Sequence, residues 1–306
     1  TTVSNIFDGS REIDMNKQPT TFGTHQTEKN HAPIRFTLNR RLFVSTLLGS
    51  SAITLSSFMP RVEAAFADTL APEAMKLFKR AQTEEKLGNI DEARQLYSRV
   101  TRLAPDFAYG WSNRGNTEVV RGNLEAALKD YNQALDLLSS SSRSDVWLIY
   151  LNRGSIYLVQ RKAEMALEDF NKAQSLIKGE DAVLLTNRAQ AMEQLGDWQG
   201  SAKAYGRAVT LQPGEVKPFW LRLGLVLIQD GRKQDALAVL NRVMAKFPGE
   251  LEARAAVVAA TMEGNNDFKG AKQVWNGRPS STTPEAIALI VDRKYLEETV
   301  YWPQKP

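Results

Sequence analysis

From residue 74 onward the hydrophobic positions follow a helical rhythm, broken at regular places by a Gly-Asn or Gly-Asp step. The steps are Gly88-Asn89, Gly122-Asn123 and Gly196-Asp197, and the first two lie 34 residues apart. Each is followed by a small residue (Ala93, Ala127, Ser201) and, four positions later, by an aromatic one (Tyr97, Tyr131, Tyr205). A four-residue spacing places both on one face of a helix. The glycine can take the left-handed conformation that ends the helix before it, and the Asn or Asp after it is suited to cap the next. Upstream of each step an Arg-small pair recurs: Arg80-Ala81, Arg114-Gly115, Arg153-Gly154 and Arg188-Ala189. A further unit fits with Tyr157, Ala166 and Phe170, and another with Trp220, Gly224, Gly231, Ala236 and Leu240. Fixed-period self-similarity of this length is the signature of a helical repeat protein.

The pattern resembles the tetratricopeptide repeat, which the resemblance implies is all-α, two antiparallel helices (A and B) per unit stacked as a solenoid. Five units match, near residues 74–107, 108–141, 147–180, 182–215 and 217–250. Trp111, Gly115, Ala127, Tyr131 and Ala134 make the second unit the most complete, and Pro105, Pro213 and Pro248 end three B helices. A degenerate sixth unit spans 252–278, with Ala259, Ala271 and Trp275, and residues 279–306 hold a capping helix at Pro284–Tyr295 and a tail. Small residues such as Gly115, Gly154 and Ala127 let the paired helices approach, while Tyr131 and Phe170 fill the space between them. The third unit has Arg161 where the others have glycine, so its turn is expected to be strained or rebuilt. The serine run Ser139–Ser142, with Ser144, lies where the third unit starts five residues late.

Composition narrows the chemistry. The chain of 306 residues is 42% hydrophobic and 24% charged, with a formal net charge of +4, close to balanced and unlike a nucleic-acid binder. It has no cysteine, and its two histidines, His25 and His31, precede residue 40. Thiolate, Ser-His-Asp and His-ligated metal chemistry are therefore not expected of the repeats, and neither a metal nor a cofactor is expected. An enzyme would have to use carboxylates such as Glu84, Glu85 and Glu118, which no motif ties to a nucleophile.

The first 67 residues read differently. Residues 1–38 are polar and without period. Arg40-Arg41 then precede an uncharged stretch from Leu42 to Met59 that is rich in Ser and Thr, and Ala65-Phe66-Ala67 has the small-x-small form of a cleavage site. This order resembles a twin-arginine export signal, with a retained anchor or core helix as the alternatives. Cleavage would start the mature chain at Asp68. The long polar leader is what a chloroplast transit peptide before a thylakoid-lumen signal would supply. Its acids Asp8, Glu12, Asp14 and Glu28 depart from that pattern and keep a bacterial periplasmic protein open.

Two columns of helix A depart from the family pattern. Arg80, Arg114, Arg153 and Arg188 stand where the family usually has an apolar residue. Asp130 and Asp169, in helix B just before the packing aromatic, are expected to meet Arg114 and Arg153, and Glu84 and Glu118 stand four residues after Arg80 and Arg114 on the same face. One position before each arginine stand Lys79, Asn113, Asn152, Asn187 and Arg222, in the column that lines the concave groove of the family. The three asparagines resemble the asparagine ladders of peptide-binding repeats such as those of O-GlcNAc transferase; as solvated amides they would bond the backbone of an extended peptide. Phe78, Ser112, Leu151, Thr186 and Leu221 are the neighbouring groove positions. Phe78 and Gln82 occupy places where co-chaperones that grip C-terminal carboxylates need Lys and Asn, so that specificity is not implied. The resemblance implies a non-catalytic scaffold or assembly factor with a protein or peptide client. A photosynthetic-complex subunit is one candidate client, with no nucleic acid and no stable membrane anchor after processing. A periplasmic adaptor and a self-associating repeat are the alternatives.

Overall fold

The structure, a computed structural model, describes residues 70–139, 146–214, 216–265, 268–279 and 282. The proposed export signal, most of the serine-rich loop and the expected capping helix at Pro284–Tyr295 lie outside them. The described residues form twelve α-helices and no strand. They come in consecutive pairs: α1 (Pro72–Lys86) with α2 (Ile90–Leu103), α3 (Ala108–Val120) with α4 (Leu124–Leu137), and α5 (Trp147–Val159) with α6 (Ala163–Leu176). Then follow α7 (Ala182–Gln194) with α8 (Trp198–Leu211), α9 (Phe219–Gln229) with α10 (Lys233–Lys246), and α11 (Leu251–Asn265) with α12 (Phe268–Asn276). The chain divides into two compact units, one ending at Asn187 and one beginning at Arg188.

Glycine ends four of the odd-numbered helices, with φ between 76° and 82° at Gly88, Gly122, Gly196 and Gly231. The turn after α5 keeps the same left-handed geometry without glycine: Arg161 has φ 61°, the one positive value at a non-glycine residue among those described. The turn is therefore strained rather than rebuilt, at a cost of about 1–2 kcal/mol for a residue with a Cβ.

The caps differ from expectation. Asp197 accepts a bond from the Gly200 N–H at 2.9 Å. Asn89 and Asn123 make no side-chain cap. Their amides turn back and donate to Glu84 Oε2 (2.8 Å) and Glu118 Oε2 (2.7 Å) at the end of the preceding helix. An amide can donate to a nearby carboxylate where aspartate would be repelled, and a charge-assisted bond outweighs a neutral cap.

Packing within a pair depends on a small residue facing an aromatic. A Cβ at Gly115 would sit 2.9 Å from the Tyr131 ring, and one at Gly154 only 2.7 Å from Phe170. Tyr97, Tyr131, Phe170 and Tyr205 are almost wholly buried. Phe78 packs edge-on against Tyr97 and Phe107 in the core of the first two pairs. In the unit from Arg188 onward the core gathers around Tyr205, Trp220, Leu223 and Leu240.

Candidate functional site

The arginine column divides by partner. Arg114 on α3 reaches across to α4, its Nε and Nη2 donating to Asp130 at 2.9 and 2.5 Å. Arg153 on α5 does the same to Asp169 on α6, at 2.9 and 2.7 Å. Both aspartates are buried and both arginines lie partly open, stacked near Trp111 and near Tyr150 and Tyr157. The hydrogen bond and field of Asp130 hold the Arg114 pKa up against burial. Burial pushes the Asp169 carboxyl up against the pull of Arg153, a sign of how much desolvation this pair bears. Arg188 has no such aspartate: Ala204 stands there, and the Arg188 Nε is buried without a partner.

The same-face pairs expected with Glu84 and Glu118 do not form. Arg80 bonds Glu92 on α2 at 3.1 Å, an exposed contact. Arg114 is drawn across the hairpin to Asp130, and Glu118 is met instead by Arg94 at 3.1 Å and Arg121 at 3.5 Å. The carboxylates weighed for acid–base chemistry are thus held in structural bonds: Glu84 by Asn89, Glu85 by the Tyr97 hydroxyl at 2.8 Å, and Glu118 by Asn123 and its two arginines.

The asparagine column requires a correction. Asn113, Asn152 and Asn187 are 2%, 9% and 5% exposed, not solvated. Asn152 and Asn187 turn toward polar groups of the preceding repeat, because a buried amide is costly unless its donors and acceptor are met. Asn152 Nδ2 donates to Asn116 Oδ1 (3.2 Å), which also receives the Tyr131 hydroxyl (2.7 Å). Asn187 Nδ2 donates to Ser155 Oγ (3.1 Å). Asn113 Oδ1 accepts from Asn116 Nδ2 (3.3 Å), while Asn113 Nδ2 is buried with no partner. The amides of Asn152 and Asn187 close one repeat against the one before it.

The remaining groove positions are split. Phe78, Ser112 and Leu151 are buried, Phe78 and Leu151 because large apolar side chains are drawn into the core and Ser112 because it bonds the Tyr109 carbonyl at 3.4 Å. Thr186 and Leu221 are half-buried and Lys79 is exposed. Arg222, expected beside the asparagines, clamps Glu193 on α7 through Nη2 and through Nε at 3.3 Å, and Glu193 also receives the Tyr205 hydroxyl at 3.3 Å. Glu85, Tyr97 and Glu193 were not among the groove residues read from the sequence. The signal that could have found them is the recurrence of Glu twelve positions before the packing tyrosine, at Glu85/Tyr97 and Glu193/Tyr205. Elsewhere, a hydrogen bond with Glu252 pushes the Glu250 carboxyl up to about 8, helped by burial and by repulsion. Among the described residues no group of acids could hold a metal ion, and no helix is long and apolar enough to cross a membrane.

Comparison with known proteins agrees with this architecture. The family model described as tetratricopeptide repeat matches residues 78–142 and 186–250. No curated protein sequence matches the chain. Among solved structures, the chain is similar to YrrB, described as a TPR protein with an unusual peptide-binding site, at 22% identity and TM-score 0.52, covering 60% of this chain and 90% of that one. It is also similar to a chain of the APC/C hetero-tetramer Cut9-Hcn1, at 16% identity and TM-score 0.54, over 82% of this chain and 48% of that one. A third likeness is to MamA from Desulfovibrio magneticus RS-1, at 18% identity and TM-score 0.52, over 58% and 96%. At these identities the likeness is one of fold. The fold is that of the tetratricopeptide repeat, with the sequence pattern of that family present at residues 78–142 and 186–250.

Proposed function

We propose that the protein is a non-catalytic scaffold that holds an extended segment of a client protein. The observation that carries this reading is the fixed register of the helix pairs in the unit ending at Asn187. The Tyr97–Glu85 bond joins α1 to α2 and the Arg94–Glu118 bridge joins α2 to α3; two bidentate Arg–Asp bridges and the Asn116–Asn152 contact lock α3 to α6, so that α1, α3 and α5 present equivalent faces without rearrangement. Repeats of this kind offer a preformed surface, and preorganisation lowers the entropy cost of holding a flexible segment. The parts of these faces left open are mixed: exposed Lys79 and Val120, with half-buried Glu85 and Val119 beside them. YrrB, a TPR protein with a peptide-binding site of its own, is in keeping with this mode. The buried asparagines act in it by setting the repeats rather than by bonding the peptide.

The place of action is proposed from the arginine pair at Arg40-Arg41 and the small-residue site at Ala65-Phe66-Ala67: the thylakoid lumen, where a photosynthetic-complex subunit would be the natural client. The acids of the leader favour the periplasm as the second reading. A photoreactive residue placed at Val120 or Lys79 in intact thylakoids tests the client reading. A discrete crosslinked protein is expected from these positions and not from Lys129, exposed on α4. Crosslinks from Lys129 alone would overturn it.

A further inference from the structure

Two junctions of the chain carry the same acceptor, and only one of them is filled. On α7, Glu193 takes the hydroxyl of Tyr205, twelve residues on, and Arg222 of the next repeat closes onto the same carboxylate. On α1, Glu85 takes the hydroxyl of Tyr97, also twelve residues on, at 2.8 Å. The counterpart of Arg222, two residues before the glycine that packs on helix B (Gly224 there, Gly115 here), is Asn113. Asparagine brings no charge to this place. Among the described residues the Glu85 carboxylate has the Tyr97 hydroxyl as its side-chain partner and makes no ion pair. Lys86, the next residue along, acts on Glu85 only through its field. Glu193 is 6% exposed under its arginine, whereas Glu85 is half-buried and so open to an approaching group.

We infer that the half-buried Glu85 carboxylate, held by the Tyr97 hydroxyl, is a subsite for an arginine side chain presented by a bound segment, at the place where Asn113 supplies no internal guanidinium. The inference rests on the client reading above and names the residue type the client supplies. The molecule contains its own precedent for the ligand, because the equivalent Glu–Tyr pair is occupied by Arg222. A guanidinium donating to a partly desolvated carboxylate makes a charge-assisted bond of the strong kind, and its planar fork suits two oxygens. Burial pushes the Glu85 carboxyl up, which agrees with a carboxylate awaiting a counter-charge. The charged and titratable groups around it are Lys86, Tyr97 and Tyr131, and neither tyrosine supplies a positive charge.

The test uses acetyl-Gly-Arg-Gly-amide as the probe and the citrulline peptide, equal in shape but neutral, as its control, with binding read from the NMR signal of the Glu85 carboxyl carbon. The arginine peptide is expected to shift that signal and lower its titration midpoint. Citrulline in its place, or Glu85→Gln in the protein, is expected to weaken binding about ten- to a hundredfold, the effect of losing one charged hydrogen bond. Asn113→Arg is expected to abolish binding and raise the Tm, since an internal guanidinium then fills the place as Arg222 does. Equal binding of the citrulline peptide, or undiminished binding by Glu85→Gln, overturns the subsite; should Asn113→Arg not fold, Glu85→Gln decides. Client crosslinking from Val120 is scored separately. Its persistence without tripeptide binding sinks the subsite alone, and its loss with tripeptide binding intact sinks the client reading alone.

Discussion

The third and fourth helix pairs solve the same packing problem with opposite choices. In α5–α6, Arg153 grips Asp169, Gly154 lies under the Phe170 ring, and the turn between the helices is held at positive φ by Arg161. In α7–α8 the arginine, Arg188, has no aspartate, and Ala189 stands in the place of the glycine. The turn is made by Gly196, and Asp197 caps the following helix. Both pairs bury their aromatic completely, Phe170 in one and Tyr205 in the other. The small residue against the ring is therefore the common requirement, and the polar contacts around it are interchangeable. A half-buried ion pair gains little over an apolar contact once desolvation is counted, so α7–α8 can do without it. Where the pair exists, however, each partner depends on the other.

That dependence gives the largest expected effect. Asp169→Asn leaves Arg153, only 21% exposed, beside a neutral amide, and should cost about 3–5 kcal/mol, the range for stranding a buried charge. Urea unfolding should show a lower midpoint with an unchanged slope. Arg188→Met, in the pair that lacks the bridge, should stay within about 0.5 kcal/mol of wild type. A loss of less than about 1 kcal/mol for Asp169→Asn would place the α5–α6 bridge among solvent-screened surface pairs and erase the distinction between the two hairpins.

Next in size is the contact beneath the ring. Gly154→Ala would put a methyl 2.7 Å from Phe170, a buried ring with no room to yield, and should cost about 1–3 kcal/mol by overpacking. The α7–α8 pair already carries that methyl at Ala189. A neutral Gly154→Ala in thermal unfolding would mean that α5 and α6 can move apart to the spacing their neighbours use.

Much of this was legible in the residues. A Gly-Asn step and an aromatic four residues after a small residue are local patterns, so helix pairing and turn positions could be read directly. Arg114 and Asp130, like Arg153 and Asp169, lie sixteen residues apart within one hairpin, where antiparallel geometry alone brings them together. Asn152 and Asn187 were misread because their partners are not local. Asn152 meets Asn116, 36 residues back, and Asn187 meets Ser155, 32 back. Whether such an amide faces solvent or the neighbouring repeat depends on how the two repeats settle, which no single repeat encodes. Glu193 and Arg222, 29 apart, were hidden for the same reason. The asparagine caps failed on competition: Glu84 and Glu118 offered a charged acceptor within reach.

The turns offer a gain rather than a loss. Arg161→Gly relieves the strain of a Cβ at φ 61° and should stabilise the protein by about 1 kcal/mol after the added entropy of the unfolded chain. The same change made in reverse, Gly196→Arg, should cost a similar amount, because a Cβ there meets nothing and only the backbone conformation is at issue. Changes in Tm that differ in size would show that Arg161 makes compensating contacts that Gly196 does not need.

The smallest effect is the most discriminating. Ala204→Asp gives α8 the carboxylate that α4 and α6 possess, four residues after Gly200 and directly before Tyr205, as Asp169 directly precedes Phe170. Bonds from Arg188 to that carboxylate should return about 1.5–3 kcal/mol. Against this stand the poorer helix propensity of aspartate, up to about 0.7 kcal/mol, and the desolvation of a site where Ala204 is only 8% exposed. The net change should be a stabilisation of about 0.5 kcal/mol, too small to interpret alone. A double-mutant cycle with Arg188→Met separates the terms, since propensity and most of the desolvation appear in both arms. A coupling of about 1–2 kcal/mol is expected between Ala204→Asp and Arg188→Met, and little between Ala204→Asp and Lys203→Met, whose side chain is exposed and, one residue away, does not share a helix face with position 204. If the coupling to Arg188 were absent, the arginine would not point where Arg114 and Arg153 point. The fourth hairpin would then differ from the third in helix register as well as in side chains.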